Sequence, residues 1–317
     1  MVGRVPRFDL VVLGDANPDL ILTGDVEPAF GQAERLVDDA RLAVGGSGAI
    51  VACGAARLGL RVAMCAVVGD DLYGSWIRDE IRSRGVAVDG LRTGPGLPTG
   101  LSVVLSTPRD RAILTFLGTI PTLSAAWVDR ALLGDTRHVH LSSYFLQREL
   151  TADLPALFDE AHALGATTSI DPNWDPAESW DGDLDRVLSR TDVFLPNATE
   201  ALRIAGTDDL DEAAKRLAGA ARLVVAKMGP VGAVACDGSE LTRARAFPAT
   251  VLDTTGAGDS FDAGFLASWL AGDPVERALA VGNACGALST RALGGVEGQP
   301  TMDEAVASLP QAPIVPG

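Results

Sequence analysis

Short apolar runs alternate with helix-patterned segments along most of this chain, and no other feature narrows its fold so far. FDLVVLG reads as a strand, residues 48–58 as a helix stopped by Gly59, RVAMCAVVG as a strand, and 72–84 as a helix stopped by Gly85. Further on, VHLS, ATTSID, DVFLPN and LVVAKMG are short runs rich in valine, leucine and threonine, separated by helical patterns at 150–164, 183–190 and 209–218. Strand, helix and strand in repetition predict an α/β fold, a parallel sheet with helical crossovers.

Two stretches interrupt the rhythm. Residues 15–41 separate the first strand from the first helix, and TGLSVVLSTPRDRAILTFLG at 99–118 reads as a hairpin turning at Pro108-Arg109-Asp110. Neither fits a βα unit. Together they predict a small β-sheet lid, from about 15–41 and 97–118, over the carboxyl ends of the main strands, where open α/β sheets bind ligands. At 317 residues there is room for about two domains, and one large α/β domain is equally consistent. Long repeats and low-complexity tracts are absent, and the tail from Pro310 reads as a loose end.

Charge narrows the partners. The 26 basic residues against 42 acidic give a net charge of −16, which argues against wrapping nucleic acid and against anionic membrane surfaces. No apolar run approaches the roughly 18 residues of a membrane span. The opening MVGRVPRFDLVVLGD has too short an apolar stretch for a signal sequence and no small-residue cleavage site, which points to the cytoplasm. Cys53, Cys65, Cys236 and Cys285 lie far apart, without C-x-x-C or a histidine at metal-ligand spacing, and read as reduced, buried thiols. His138 and His140 share a strand face, but with no third ligand in view they read as structural. Lys215 and Lys227 are the only lysines.

The segment DTTGAGDSFDAGF at 253–265 sets Asp259 directly behind Gly256-Ala257-Gly258 and runs at once into a helix-like stretch from Ser260 to Leu270. As structure alone this is an N-terminal cap. Bare N–H groups at a helix start also bind anions such as phosphate, and three residues without bulk leave them open. A dinucleotide fold wants G-x-G-x-x-G/A, but Gly46-Ser47-Gly48 is followed by Ala49-Ile50-Val51, and Gly256-Ala257-Gly258 by Asp259-Ser260-Phe261. A Walker A loop needs a Gly-Lys pair, and neither lysine follows a glycine; the V-A-I-K of protein kinases is missing too. What remains is a glycine-rich anion cradle whose positive charge comes from helix dipoles and metal. A carboxylate at its rim repels a bound phosphate. It makes sense as a base that accepts the proton of an attacking hydroxyl while the N–H groups hold phosphoryl oxygens.

DTTGAGDSFDAGF closely resembles the C-terminal signature of the ribokinase-like (PfkB) carbohydrate kinases, and GGSGAIVACGAARLG at 45–59 looks like their N-terminal one. The resemblance covers nearly the whole chain. It implies a three-layer α/β/α sandwich with a β-lid, one kinase domain over 1–317, and ATP-dependent phosphorylation of a hydroxymethyl group on a small sugar. Asp259 would be the general base, with Gly256, Ala257 and Gly258 as the anion hole. GDANPDL resembles the family's first-strand exit, where Asp19, with Asn17 nearby, would bind substrate hydroxyls; an Asn-Pro turn with a solvated aspartate is the plain alternative. Gly45 and Gly46 would let backbone approach the substrate, whereas a helix-start turn needs only one of them.

PNATEA is similar to the family's N-x-x-E, in which Asn197 and Glu200 organise Mg2+, partly through water; Asn followed three residues later by Glu is also a capping box. Mg2+ is expected in any case for triphosphate transfer. DPNW at 171–174 resembles a loop that some members place near the active site, and by turn chemistry it reads as an Asp-Pro turn. Asp253 and Thr255 resemble the ligands of a monovalent-cation (K+) site beside the anion hole. The resemblance puts the adenine between the last helices, around Asn283 to Gly295, with Gly294 against the flat base, and assigns Asn197, Lys227, Gly229 and Gly232 to the nucleotide as well.

Two departures bear on the substrate. Where the N-terminal signature usually presents an asparagine to substrate hydroxyls, this chain has Ile50, which can neither donate nor accept a hydrogen bond, so an apolar group of the substrate is expected there. Where ribokinase itself offers a glutamate from a mid-chain strand, HLSSYFL offers Ser142, Ser143 and Tyr144. A nucleoside kinase of the same fold, burying a base against Ile50, Phe116 and Tyr144, is the alternative. A catalytically silent sensor is a third reading, and the intact anion loop with Asp259 stands against it. An exposed lid sheet would favour a homodimer.

Overall fold

In chain order the strands are β1 (Leu10–Leu13), β2 (Asn17–Gly24), β3 (Val37–Gly45), β4 (Val62–Gly69), β5 (Ala87–Gly94), β6 (Leu101–Ser106), β7 (Arg111–Phe116), β8 (His138–Leu141), β9 (Thr167–Ile170), β10 (Val193–Phe194), β11 (Leu223–Lys227), β12 (Gly232–Cys236) and β13 (Leu241–Arg245). The helices are α1 (Ser47–Arg57), α2 (Leu72–Ser83), α3 (Arg130–Leu133), α4 (Leu154–Ala163), α5 (Leu184–Leu188), α6 (Ala198–Ala205), α7 (Leu210–Leu217), α8 (Ala257–Leu270), α9 (Val275–Ser289) and α10 (Met302–Ala307). They come from a computed structural model that describes residues 5–107, 111–181 and 183–309. The turn expected at Pro108-Arg109-Asp110 and the tail from Pro310 lie outside the described residues.

The strands form two sheets. The larger runs β13-β12-β11-β10-β9-β8-β1-β4-β5, parallel from β11 to β5, with β12 and β13 antiparallel. The smaller runs β3-β2-β6-β7. It uses the stretches that broke the strand–helix rhythm, and the pairing of Ser106 with Arg111 aligns β6 and β7 as the two arms of a hairpin.

Alternate residues of the central strands feed opposite cores, as the period of two demands. Val11 and Leu13 pack with Leu157 and Phe158 of α4, Val187 and Leu188 of α5, and Ala213 of α7. Leu10 and Val12 face the other way, toward Ala49 and Val51 of α1, Ile77 and Ile81 of α2, and Ala263 of α8. Further along the sheet, Val193, Leu223 and Val225 meet Phe261, Phe265 and Leu266 of α8 with Ala278 and Leu279 of α9. The result is the three-layer α/β/α sandwich, with β1 and β4 buried along their whole length.

Three strands go beyond the sequence reading, and each lacks a continuous run of bulky apolar residues. β5 (AVDGLRTG) and β13 (LTRAR) are the two edges of the large sheet, where charged side chains face water, while β12 (GAVAC) is built from small residues with weak strand preference. All four cysteines are free and buried. His138 and His140 are fully buried in a hydrogen-bonded chain: His138 reaches Thr167 Oγ1 (2.7 Å) and Ser169 Oγ (2.6 Å), and His140 reaches Ser169 Oγ (2.7 Å) and Ser142 Oγ (3.0 Å). Burial holds the His140 imidazole neutral, its pKa down at about 4. Among the described residues no helix is long and apolar enough to cross a membrane.

Candidate active site

Strand order reverses at β1, which has β4 on one side and β8 on the other, and a crevice outside the carboxyl ends belongs at such a point. Asp15, just past β1, is buried at that point. Its carboxylate accepts the N–H groups of Ser47 (3.3 Å) and Gly48 (3.1 Å) and the hydroxyl of Ser143 (3.1 Å). It thus serves the start of α1, whose own N-cap, Gly46, has no side chain to offer. Asp19 on β2 is 7% exposed, accepts from Asn17 Nδ2 at 3.3 Å, and is pushed up to about 7, first by burial and then by the charge of Asp15.

The two glycines opening α1 are needed for contacts inside the protein, a different reason from the one expected. A Cβ on Gly45 would collide with the Asp19 carboxylate, and one on Gly46 would sit 2.8 Å from Asp15 O and 2.9 Å from Asn17 Oδ1. Gly46 also holds φ 81°, a left-handed conformation that favours glycine. Ile50 departs from expectation more clearly. It is 3% exposed, and its side chain turns into the space left beside Gly256 and Gly295, where an aliphatic residue fills the core. It therefore packs against the glycine turn. Tyr144 is likewise buried at 1% exposure, so of the three residues proposed to line a nucleobase pocket only Phe116, 54% exposed, reaches the surface.

Helix α8 begins earlier than the sequence suggested, at Ala257, with Gly256 (φ 70°) as its N-cap. Asp259 is therefore the third helical residue, and the cap reading is wrong: no side-chain cap bond is made there. The N–H of Ala257 goes to Thr254 O and that of Ser260 to Gly256 O, while those of Gly256, Gly258 and Asp259 have no acceptor among the described residues. A cradle of donors stands open. Gly256 is hard to replace, since a Cβ would lie 2.8 Å from Gly295. The Asp259 carboxyl is pushed up to about 8, chiefly by burial and next by Asp171, with Lys227 and the Ser47 hydroxyl pulling the other way.

A buried ion cluster lies behind that carboxyl. Lys227, at the end of β11, donates to Asp171 Oδ2 (2.8 Å) and to Asp262 Oδ1 and Oδ2 (3.0 and 2.9 Å). Burial opposes the ammonium, but Asp171 and Asp262 outweigh it and hold Lys227 charged. Burial also works against ionised Asp171, and Lys227 wins, keeping it below the usual carboxylate range, whereas for Asp262 burial outweighs Lys227 and drives its carboxyl up. The DPNW segment is thus more than the Asp-Pro turn expected of it. Besides Asp171, it contributes Asn173, whose Nδ2 donates to Ser47 Oγ at 2.6 Å and to Ser143 Oγ at 3.2 Å. Asn173 (φ 55°) and Ser143 (φ 58°) are both left-handed without being glycine, a strain that gathers at functional sites.

Asn197 and Glu200 form the capping box of α6: Glu200 N–H donates to Asn197 Oδ1 (2.9 Å) and Asn197 N–H to Glu200 Oε2 (2.8 Å). Glu200 is 3% exposed and pushed up to about 7 by burial and then by Asp171. On the other side of the glycine turn, a cavity of about 610 Å³ is lined by Gly229, Gly232, Ala257, Gly258 and Asn283, together with Lys227. Asn283 is pinned there, its Nδ2 donating to Ala244 O (3.1 Å) and Arg245 O (3.2 Å). Gly294 does not belong to this cavity. Its N–H donates to Asp253 Oδ2 at 2.8 Å, and it packs toward Ala43 and Ile21 of the small sheet. Asp253 and Thr255 are brought together, Thr255 Oγ1 donating to Asp253 Oδ1 at 2.8 Å, but with Arg111 of β7 set against both.

Residues 7–302 match the family described as pfkB family carbohydrate kinase. The chain belongs to the PfkB family of carbohydrate kinases. The kinase is 32% identical over 304 residues to the ATP-dependent ribose-1-phosphate kinase of Halopiger xanaduensis, an alignment covering 93% of this chain and 96% of that one. Its fold matches an E. coli protein described as a ribokinase II in complex with ATP and Mg2+, with a TM-score of 0.84 and 26% identity over 95% of this chain and 98% of the other. The adenosine kinase of Sinorhizobium meliloti matches with a TM-score of 0.82 at 26% identity, again over 95% and 98%. The protein is an ATP-dependent carbohydrate kinase with a ribokinase-like fold.

Several groups at the heart of the kinase were not singled out from sequence: Asp15, Ser47, Asp262 and Arg111. One signal was available. A lysine inside the apolar run LVVAKMG requires buried carboxylate partners, and Asp171 and Asp262 are those partners.

Proposed function

We propose that the kinase transfers the γ-phosphoryl group of ATP to a hydroxymethyl group of a small sugar. The observation that carries this reading is the start of α8, where open N–H groups and a buried carboxylate share one turn beside the 610 Å³ cavity. Asp259 takes the hydroxyl proton; the Gly256–Gly258 backbone holds the phosphoryl oxygens as charge builds on them. Asp19 and Asn17 bind the sugar's other hydroxyls. Adenine lies in the cavity beside Asn283, Gly229 and Gly232, and the small sheet acts as the lid of a single kinase domain. Mg2+, when bound, would supply charge neutralisation for the phosphates. The second oxygen of Glu200, left over from the capping box, suits a water-mediated contact to that ion, with Asn197 beside it. A second copy would pair through β7, an edge strand exposing Ile113 (50%), Leu114 (61%) and Phe116 (54%). Sedimentation at micromolar concentration tests this, and a monomer rules it out.

The test is ATP consumption across a panel of sugars and nucleosides, with magnesium titrated in the wild type and in Glu200→Gln. A sugar should be the best acceptor, because two of the three side chains a base would need are buried elsewhere. A nucleoside turned over faster than every sugar would overturn this choice. The pH dependence is expected to follow the carboxyls. Asp259 (about 8) and Asp19 (about 7) must both be ionised, so log kcat/KM should climb with pH, more steeply below 7 than between 7 and 8, and level off above. A profile that stays flat on both sides of these two values would contradict the base.

A further inference from the structure

The family resemblance implies a monovalent cation at Asp253 and Thr255, and the residues present do not fit one. Arg111 Nη1, at the start of β7, lies 3.3 Å from Asp253 Oδ1, 2.8 Å from Thr254 Oγ1 and 3.0 Å from Thr255 Oγ1. The same carboxylate holds protein donors as well: Asp253 Oδ1 accepts the N–H (2.9 Å) and hydroxyl (2.8 Å) of Thr255, and Oδ2 accepts the N–H of Gly294 (2.8 Å). The Asp253 side chain is 5% exposed, so its charge needs a partner, and a guanidinium already supplies it. A second cation brought to these oxygens would meet the like charge of the guanidinium.

We propose that Arg111 is a built-in replacement for the monovalent cation, so that the kinase works without K+ and the small sheet itself tensions the glycine turn. The link is short: Asp253, Thr254 and Thr255 run directly into Gly256, the N-cap of α8. A guanidinium on a strand of the small sheet therefore sets the charge and position of the segment that aims the Gly258 and Asp259 N–H groups. In a cation-activated enzyme an ion from solution would do this, and the sheet and the turn would be free to part. Here the two are tied by a charge-assisted bond between residues 142 positions apart. The proposal rests on reading that turn as the anion hole.

The experiment compares KCl with choline chloride at equal ionic strength for the wild type, Arg111→Met and Arg111→Lys, reading both phosphotransfer rate and melting temperature. The melting is recorded without ATP or sugar, so it reports on the cation even if the assigned reaction is wrong. For the wild type, rate should stay within about twofold between the two salts and melting should not shift. Arg111→Met should lose about tenfold or more in rate and regain part of it with K+, and its melting temperature should rise with K+ alone. Arg111→Lys should fall between, since an ammonium keeps the charge but sits on a shorter side chain than the Nη1 that makes all three contacts. Potassium activation or a potassium-dependent melting shift in the wild type overturns the proposal, and so does an Arg111→Met variant that keeps full rate. A folded Arg111→Met variant that is slow and insensitive to K+ also overturns it, because Arg111 would then not be standing in for an ion.

Discussion

Replacing Asp259 with asparagine is expected to lower turnover by roughly 10²-fold or more while leaving ATP affinity within a few-fold. The amide keeps the shape of the carboxyl but cannot accept the proton of the sugar hydroxyl, so the loss should fall on kcat. Stability should move the other way. With its pKa raised from 3.8 to about 8, Asp259 binds its proton more tightly in the folded chain than in the unfolded one. Its contribution is fully present below the unfolded value and is lost as pH rises through about 8, so ionised Asp259 weakens the fold above that point. Asparagine carries no such charge, and Asp259→Asn should melt at or above the wild-type temperature, most visibly at alkaline pH. Single-turnover kinetics and a melting curve on the same preparation decide it. Near-normal turnover removes Asp259 from the role of base, and a variant that is slow only because it is unfolded fails the second half of the prediction.

The second large effect concerns Lys227. Lys227→Met removes the one ammonium between Asp171 and Asp262 and leaves a carboxylate buried without a counter-charge, a change that costs about 3–5 kcal/mol in comparable sites. For a chain of this size that corresponds to a melting point lower by roughly 4–8 °C. Removing the stranded charge as well should repair most of the damage. The double variant Lys227→Met/Asp171→Asn is expected to recover more than half of the lost stability, because the penalty belongs to the orphaned charge. Thermal melts of the two single variants and the double complete the cycle. A Lys227→Met protein as stable as the wild type would show that the cluster is not held as an ion pair. Lys227→Met alone should also be slow, since Lys227 lowers the proton affinity of Asp259 and its loss leaves more of that carboxyl protonated.

How much of this could be read from the chain follows from distance along it. β1, α1, β4 and α2 were legible to within a residue or two because their signals are local: a run of valines, an apolar stripe, a glycine past the end. DTTGAGDSFDAGF was legible for the same reason, with loop, acid and helix in one window, although the helix proved to begin at Ala257 and to place Asp259 inside it. Asp15 bonding to the start of α1, Asn173 reaching Ser47, and Arg111 meeting Asp253 all join segments that only the folded sheet brings together. Ile50 shows the limit of substituting by position. Its place in the signature suggested the substrate pocket, while its aliphatic side chain found better company against Gly256 and Gly295.

The way α8 and α9 cover the sheet has a consequence for how the chain is made. Val193, Leu223 and Val225 on the neighbouring strands β10 and β11 are sealed by Phe261, Phe265 and Leu266 of α8 and by Leu279 of α9, all of which are synthesised after the strands they protect. While these helices are still inside the ribosome, the emerging chain holds a nearly finished sheet with that apolar face bare. Such a surface invites association with other nascent chains, and it makes this stretch of synthesis the moment when a chaperone has most to hold. The same late helix carries Asp259, so a polypeptide cut short before Ala257 would be sticky and would lack the proposed base.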